Sequence, residues 1–315
     1  MRVVFFGTPE FAARSLREVL ASRHEVVAVV TQPDRPRGRG RKLSRSPVKD
    51  LALDAGLEPV LQPVTTTEPE FLSAVKALGA DLFTVVAYGE ILKRDVLGLP
   101  PHGAVNVHAS LLPKYRGSSP IQAALLNGDK ETGITTIYMD EGMDTGDIVL
   151  QEQVEIEPED IAGTLHDRLA EVGARVLVRT LDEIEAGTAK HSPQDHSRAT
   201  YTSKIRREDG LVDWSASSRA IHNRVRAMNP WPGAYTSWRD TTLRVLKTRV
   251  PSESEVAEHS PGTVLRSDES ALEVCTGDGV VQLVEIQLPG GKPLGWREFL
   301  RGNQIEVGEQ LGGSG

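Results

Sequence analysis

The chain has 315 residues, is 39% hydrophobic and 25% charged, and carries a net charge of −8. That length allows two domains with a sizeable core, and the composition is that of an ordinary globular protein rather than a chain-wide nucleic-acid binder. The lone Cys275 excludes an intrachain disulfide framework or a cysteine zinc site, and no 18-residue apolar run points to a membrane span. The apolar start Met1–Gly7 is too short for a signal peptide, so a soluble, cytoplasmic protein is expected.

Val3–Phe6 reads as a short apolar strand closed by Gly7. Thr8 is placed to cap a helix with Pro9 at its first position and an apolar face of Phe11, Ala12, Leu16, Val19 and Leu20. Val26–Thr31 is a continuous β-branched run, as in a buried parallel strand. Residues 35–49 follow, with seven basic residues and no acidic one. Their glycines and prolines exclude a regular helix and suggest a mobile loop that clamps phosphate, against the plain alternative of a solvated charge run.

Leu82–Ala87 and Ala104–His108 repeat the strand pattern, Ile121–Leu126 reads as helical and Ile134–Met139 as a strand. A helix over Ile161–Glu185 closes the first domain. This alternation predicts an α/β fold with a mainly parallel sheet covered on both faces, whose ligands bind beyond the carboxyl ends of the strands. Domain boundaries are expected at 1–188 and 206–310, joined by an aperiodic linker over 189–205. In the second domain a helix over Ser217–Ala227 precedes five short strands: Tyr235–Trp238, Thr242–Val250, Gly262–Leu265, Ala271–Thr276 and Val280–Leu288. Five strands with turns between them suit a small β-barrel. Residues 206–249 hold nine Lys/Arg against four Asp/Glu, a net of +5, whereas 250–315 hold four against eleven, a net of −7. A barrel polarised in this way has one side suited to a nucleic-acid backbone. Trp231, Tyr235 and Trp238 are core or stacking residues, with core expected for at least two of them.

Gly7-Thr8-Pro9-Glu10 follows the first strand, yet the G-x-G-x-x-G fingerprint is absent and Pro9 lacks the N–H a pyrophosphate would use. NAD binding is therefore not expected, nor is a Walker-type phosphate loop. His24, His102, His166, His191, His196, His222 and His259 show no metal-ligand spacing, and no metal is expected.

The chemistry concentrates between Asn106 and Asp144. Asn106 and His108 lie two apart on a strand and point to one side. Asp144, in the glycine-bearing loop Asp140–Gly146, can reach His108. An amide, an imidazole and a carboxylate are what a reaction at a carbonyl needs to hold an oxyanion and move a proton. A strand-end histidine satisfied by a loop carboxylate fits the spacing equally well.

Asn106-Val107-His108-Ala109-Ser110-Leu111-Leu112-Pro113, followed by Lys114-Tyr115-Arg116-Gly117, Pro120-Ile121-Gln122 and Asp144, closely resembles the formyltransferases that use 10-formyltetrahydrofolate. Phe6-Gly7-Thr8-Pro9-Glu10-Phe11, the basic loop Pro33–Lys49, Val86-Ala87-Tyr88-Gly89 and Asn229-Pro230-Trp231-Pro232-Gly233-Ala234 extend the likeness over nearly the full chain, toward the branch acting on initiator methionyl-tRNA. The resemblance implies a Rossmann-like N-terminal domain and a C-terminal OB-like barrel. It implies that Asn106, His108 and Asp144 are catalytic, the amide and a protonated imidazole holding the oxyanion and the carboxylate orienting the ring. Ser110, Leu111, Leu112 and Pro113, with Val86, Ala87, Tyr88, Gly89, Asp140 and Gly142, would take the folate co-substrate. Arg37, Arg39, Arg41, Lys42 and Arg45 of the basic loop, and Arg206, Arg207, Arg244 and Lys247 of the second domain, would contact tRNA. A monomer without an obligate protein partner is expected. The rival readings are the same chemistry on an amino-sugar nucleotide, on glycinamide ribonucleotide or on water, and a nucleic-acid-binding module with a vestigial site.

Overall fold

In the computed structural model, which describes residues 1–37, 42–252 and 259–312, the chain divides into two compact units. The first comprises Met1–Pro120, Glu131–Glu155 and His166–Thr202, and the second Ile121–Lys130, Ile156–Leu165 and Ser203–Gly315. Among the described residues, no helix is long and apolar enough to cross a membrane.

In chain order the elements begin with β1 (Arg2–Gly7), α1 (Glu10–Ala21), β2 (Glu25–Val30), β3 (Arg35–Arg37), β4 (Lys42–Ser44), α2 (Pro47–Asp54), β5 (Val60–Leu61) and α3 (Pro69–Ala77). They continue through β6 (Leu82–Val86), α4 (Arg94–Leu97), β7 (Ala104–His108), β8 (Arg116–Gly117) and α5 (Pro120–Asn127). Then come β9 (Glu131–Tyr138), β10 (Ile148–Glu155), α6 (Ala162–Glu185) and β11 (Tyr201–Thr202). Seven strands form one sheet in the order β10-β9-β7-β6-β1-β2-β5. The five from β7 to β5 are parallel, and β9 and β10 turn antiparallel at one edge.

The strand sequences explain this layering. Val3, Val4, Phe5 and Phe6 are all fully buried, so β1 is covered on both faces, as a parallel strand without polar alternation must be. On one face, Phe71 and Val75 of α3 and Val96 and Leu97 of α4 join Val4, Phe6, Phe83 and Val85 in one apolar cluster. Each such side chain contributes roughly 1.5–3 kcal/mol by leaving water. On the other face α6 approaches β7 and β9 at Gly173, where an added Cβ would sit 3.2 Å from Val107 and 3.4 Å from Ile134.

The second unit carries α7 (Ser218–Met228), then β12 (Ala234–Trp238), β13 (Thr241–Arg249), β14 (Val264–Ser267), β15 (Leu272–Cys275), β16 (Val280–Gln287) and β17 (Leu294–Gly295), and ends in α8 (Trp296–Gly302). The strands form an antiparallel sheet in the order β12-β13-β16-β15-β14, with β17 added on β16. Side chains alternate along β13 between buried Leu243 and Val245 and the partly exposed Arg244, as expected of strands covered on one face. Each of the five expected strands appears, shifted by no more than about two residues. Cys275 is buried, as a small apolar residue would be, and Ser217 caps α7 by accepting from the Ala220 N–H.

Four expectations need correction. Thr8 does not cap α1: its hydroxyl donates 2.8 Å to the Tyr88 carbonyl and ties the end of β1 to the turn after β6. The basic segment is not wholly irregular, because β3 pairs with β4 and Ser46 caps α2, its Oγ accepting from the Lys49 N–H at 3.0 Å. The strand β10 and the helices α2 and α3 escaped the reading, since polar Gln151, Glu152 and Gln153 interrupt the strand and the helices are only eight and nine residues long. Within the expected linker, residues 189–202 belong to the first unit. Ser192 exchanges main-chain bonds with Ile148, and β11 pairs with β8.

Candidate active site

The carboxyl ends of β6 and β7 border a cavity of about 400 Å³ in the first unit. Val85, Ile91, Leu92, Ile137 and Met139 give it apolar walls, and Asn106 and Asp144 bring polar groups to it. This is the edge at which parallel sheets bind ligands.

Asn106 leaves β7 partly exposed, and its Nδ2 donates to Asp144 Oδ1 at 3.3 Å. The other oxygen of Asp144 accepts the Gly117 N–H at 2.8 Å and lies 3.6 Å from His108 Nδ1. His108, 6% exposed, sets its Nε2 2.9 Å from the Tyr115 carbonyl. That carbonyl accepts an Nε2–H, which leaves Nδ1 facing Asp144. Tyr115, a partner that sequence reading did not name, holds one side of the ring while Asp144 faces the other, and His108 does not line the cavity.

The backbone around these groups is unusual. Of the four non-glycine residues with positive φ among the described residues, Ala87 (45°), Tyr115 (62°) and Asp144 (53°) all belong to this region. Non-glycine residues at left-handed φ persist where surrounding bonds over-determine them, and such positions gather at functional sites. For Asp144 the bonds are visible. Gln194 Nε2 donates to the main-chain carbonyls of Asp144 (2.8 Å) and Gly146 (2.7 Å). Gly146 lets the loop close onto β9, since a Cβ there would lie 1.7 Å from the Tyr138 carbonyl oxygen. Asp140 stitches the same loop, its Oδ1 accepting from the Gly142 N–H at 3.0 Å and the Thr145 hydroxyl at 2.6 Å.

Among the described residues Arg116 is the largest of the fully buried side chains. Its guanidinium donates to Gln194 Oε1 at 3.1 and 2.6 Å and reaches His196 Nδ1 at 3.2 Å and the Tyr201 hydroxyl at 3.4 Å. No carboxylate pairs with it among the described residues. Sequence reading missed the Gln194–Arg116 brace and the Tyr115 carbonyl. Gln194 lies in an aperiodic stretch and gives no signal of its own.

Of the residues expected at the folate site, Ala87, Tyr88, Gly89, Asp140 and Gly142 line the cavity. Val86 is fully buried in β6 and does not. Nor do Ser110, Leu111, Leu112 and Pro113. Ser110 is buried with its hydroxyl on the Lys114 carbonyl, Leu112 is buried, and Leu111 packs on Gly133. That segment therefore backs the site and fixes the turn carrying Tyr115. Burial pushes the Tyr88 phenol well above its usual range, so it stays a neutral hydroxyl. A 400 Å³ cavity with apolar walls and few polar groups falls in the usual range for small-molecule sites.

Arg39 and Arg41 lie outside the described residues, as do the side chains of Arg37 and Lys42. Arg45 is exposed. At the base of the basic segment Lys49 Nζ donates to Asp34 Oδ2 at 2.8 Å and Gln62 Oε1 at 2.6 Å. Bonds from Lys49 and Gln62 hold the Asp34 carboxyl below its usual range. In the second unit Arg206 and Arg207 are exposed, Arg244 is half-buried on β13, and Lys247 pairs with Glu159 at 2.6 Å. His24, Asp182 and Glu185 form the one metal-type cluster among the described residues, a grouping that spacing did not reveal. Its carboxylates are already paired with Arg23, and Glu185 also with the Met1 ammonium.

Residues 1–181 match the family model for formyl transferase, and residues 204–304 match the formyl transferase C-terminal domain. A methionyl-tRNA formyltransferase from Desulforamulus reducens is 47% identical over 100% of this chain and 99% of its own. One from Pelotomaculum thermopropionicum is 48% identical over 99% of each. Among solved structures, the sugar 3N-formyl transferase WlaRD aligns with a TM-score of 0.66 at 20% identity, covering 93% of this chain and 99% of its own, and shares the fold. The phosphoribosylglycinamide formyltransferase from Bacillus halodurans aligns at 28% identity and a TM-score of 0.50 over 58% of this chain and 95% of its own. With both family models matched and relatives this similar from end to end, the chain belongs to the methionyl-tRNA formyltransferase family.

Proposed function

We propose that this protein transfers a formyl group from 10-formyltetrahydrofolate to the free amino group of initiator methionyl-tRNA. One observation supports the chemistry above others: the Asn106 amide and Asp144 carboxylate meet, 3.3 Å apart, on the wall of a cavity of small-molecule size. The co-substrate supplies the formyl carbon when bound. Asn106 spends one N–H on Asp144 and keeps the other for the formyl oxygen, where negative charge develops. Asp144, with lone pairs left on both oxygens, takes the proton of the attacking amine and returns it to N10 of the folate as the bond between N10 and the formyl carbon breaks. His108 in its protonated form places positive charge behind both groups and favours the same oxyanion. Tyr115 and Gly117 hold the imidazole and the carboxylate in register through their main-chain groups. No step assigned to these residues calls for a metal.

Folate binding falls to Ala87, Tyr88, Gly89, Asp140 and Gly142 on the cavity wall, with Val86 and the Ser110–Pro113 segment supporting them from behind. The basic segment carrying Arg37, Arg39, Arg41, Lys42 and Arg45 engages the acceptor end of the tRNA, and the arginines of the second domain hold its body. The protein acts in the cytoplasm as a monomer, with the first unit carrying the chemistry and the second unit gripping the tRNA. An acceptor panel tests the substrate: charged initiator tRNA, free methionine, an amino-sugar nucleotide and glycinamide ribonucleotide, each offered with 10-formyltetrahydrofolate. Transfer to the charged tRNA alone is expected, and preference for any other acceptor overturns the assignment.

A further inference from the structure

A cavity of about 620 Å³ opens on the second unit between Arg207, Trp231, Pro232, Tyr235, Arg244 and Pro289. Trp231 is 58% exposed, whereas Trp214 and Trp238 are each 5% exposed and fill the core. The indole of Trp231 is therefore displayed, whereas Trp238, named beside it as core or stacking, is core. The chain closes tightly beneath it. Gly233, at φ +85°, donates its N–H to the Met228 carbonyl at 2.8 Å. A Cβ on Gly233 would lie 2.5 Å from an Arg244 guanidinium nitrogen, so glycine there lets the arginine pack against the turn.

Among the described residues the charges at this cavity have no carboxylate partner. Arg244 reaches only neutral acceptors, Gln287 Oε1 at 3.4 Å and the Pro232 carbonyl at 3.3 Å, both long. Elsewhere in the unit Lys247 pairs with Glu159 at 2.6 Å and Arg239 with Glu309 at 2.7 Å. Among the described residues no carboxylate lines the cavity or pairs with Arg207 or Arg244. Flat apolar faces beside two unneutralised guanidiniums complement one ligand chemistry in particular, a heteroaromatic ring joined to a phosphate.

We propose that this cavity takes one unpaired nucleotide of the RNA acceptor, its base stacked on Trp231 and its phosphate held between Arg207 and Arg244. The proposal rests on the reading of methionyl-tRNA as substrate and adds how the second domain grips it. Stacking on an aromatic ring tolerates any base, so the site strengthens binding without reading sequence.

All four tryptophans lie in the second unit, so their emission reports on it directly. Titration of the whole protein with initiator methionyl-tRNA should quench tryptophan emission in the wild type and much less in Trp231→Phe. Trp231→Ala should weaken tRNA binding about five- to a hundredfold, and Trp231→Phe, which keeps a ring, only a few-fold. Arg207→Gln and Arg244→Gln should each lower the salt dependence of binding by about one phosphate contact. Folate affinity, measured by calorimetry, should hold in all four variants. Wild-type affinity in Trp231→Ala, or tRNA binding without quenching in the wild type, overturns the proposal. A wild type that binds methionyl-tRNA but never formylates it overturns the functional reading and leaves this one standing, while failure to bind the tRNA overturns both.

Discussion

Gln194 donates 2.8 Å to the main-chain carbonyl of Asp144, fifty residues back along the chain. Its amide oxygen meanwhile neutralises two N–H groups of the buried Arg116. One side chain thus holds the loop that presents the carboxylate and satisfies a cation that has no anionic partner among the described residues. The left-handed φ of 53° at Asp144 is the strain that this brace sustains.

Gln194→Ala should therefore lower the turnover number about tenfold or more while leaving the KM for folate within a few-fold, since Gln194 does not line the cavity. Stability should fall by roughly 1–3 kcal/mol, the usual cost of leaving buried donors unsatisfied. Gln194→Glu keeps an acceptor for Arg116 but loses the donors to Asp144 and Gly146, so it should recover stability more than turnover. Urea denaturation alongside steady-state kinetics separates the two effects. Unchanged turnover in Gln194→Ala would detach the brace from catalysis.

The basic segment gives a second prediction. Residues 35–49 hold seven positive charges in an acidic protein, and Lys49 is the one that Asp34 neutralises among the described side chains. Replacing Arg39 and Arg41 together with alanine should weaken methionyl-tRNA binding and reduce its log–log salt slope by about 1.5–2. Folate affinity should stay within twofold of wild type, about the error of such a titration. Loss of folate affinity instead would show that this segment serves the donor site.

His222 on α7 predicts a pH dependence. Burial first, then the charges of Arg226 and Arg219, lower its pKa from 6.5 to about 4. The unfolded chain takes a proton on this residue below pH 6.5, and the folded chain does so only near 4. The unfolded state thus binds more protons in that window, so stability rises with pH across it and is lost as pH falls from 6.5 toward 4. His222→Gln should flatten this part of the profile. Urea midpoints read by tryptophan emission at about pH 7 and about pH 4.5 measure it, with wild type and variant compared at each. An identical loss in both proteins would assign the acid sensitivity to other groups.

Legibility in the sequence followed the physics of each element. Val3–Phe6, Leu82–Val86 and Ala104–His108 declared themselves as apolar runs because a strand buried on both faces tolerates no polar alternation. The second-domain strands were visible through their alternation and their turns. β10 was not, because Gln151, Glu152 and Gln153 interrupt its apolar residues at an open edge of the sheet. Thr8 reads as a cap in isolation, and only the tertiary partner Tyr88 reveals another use. Asn106, His108 and Asp144 could be picked out by their chemistry and by resemblance. What orients them, the Tyr115 carbonyl and the Gln194 amide, could not, since main-chain acceptors and a lone glutamine carry no pattern.

The central claim is that the cluster around Asp144 performs formyl transfer. Its most direct test is the single-turnover rate of transfer from 10-formyltetrahydrofolate to initiator methionyl-tRNA in Asp144→Asn. That change keeps the shape and one acceptor, enough for either the Gly117 N–H or the Asn106 amide, while it turns the other oxygen into a donor and removes the charge and the proton acceptor. The account predicts a rate lowered about a hundredfold or more with both substrates still bound. A rate within a few-fold of wild type would contradict it.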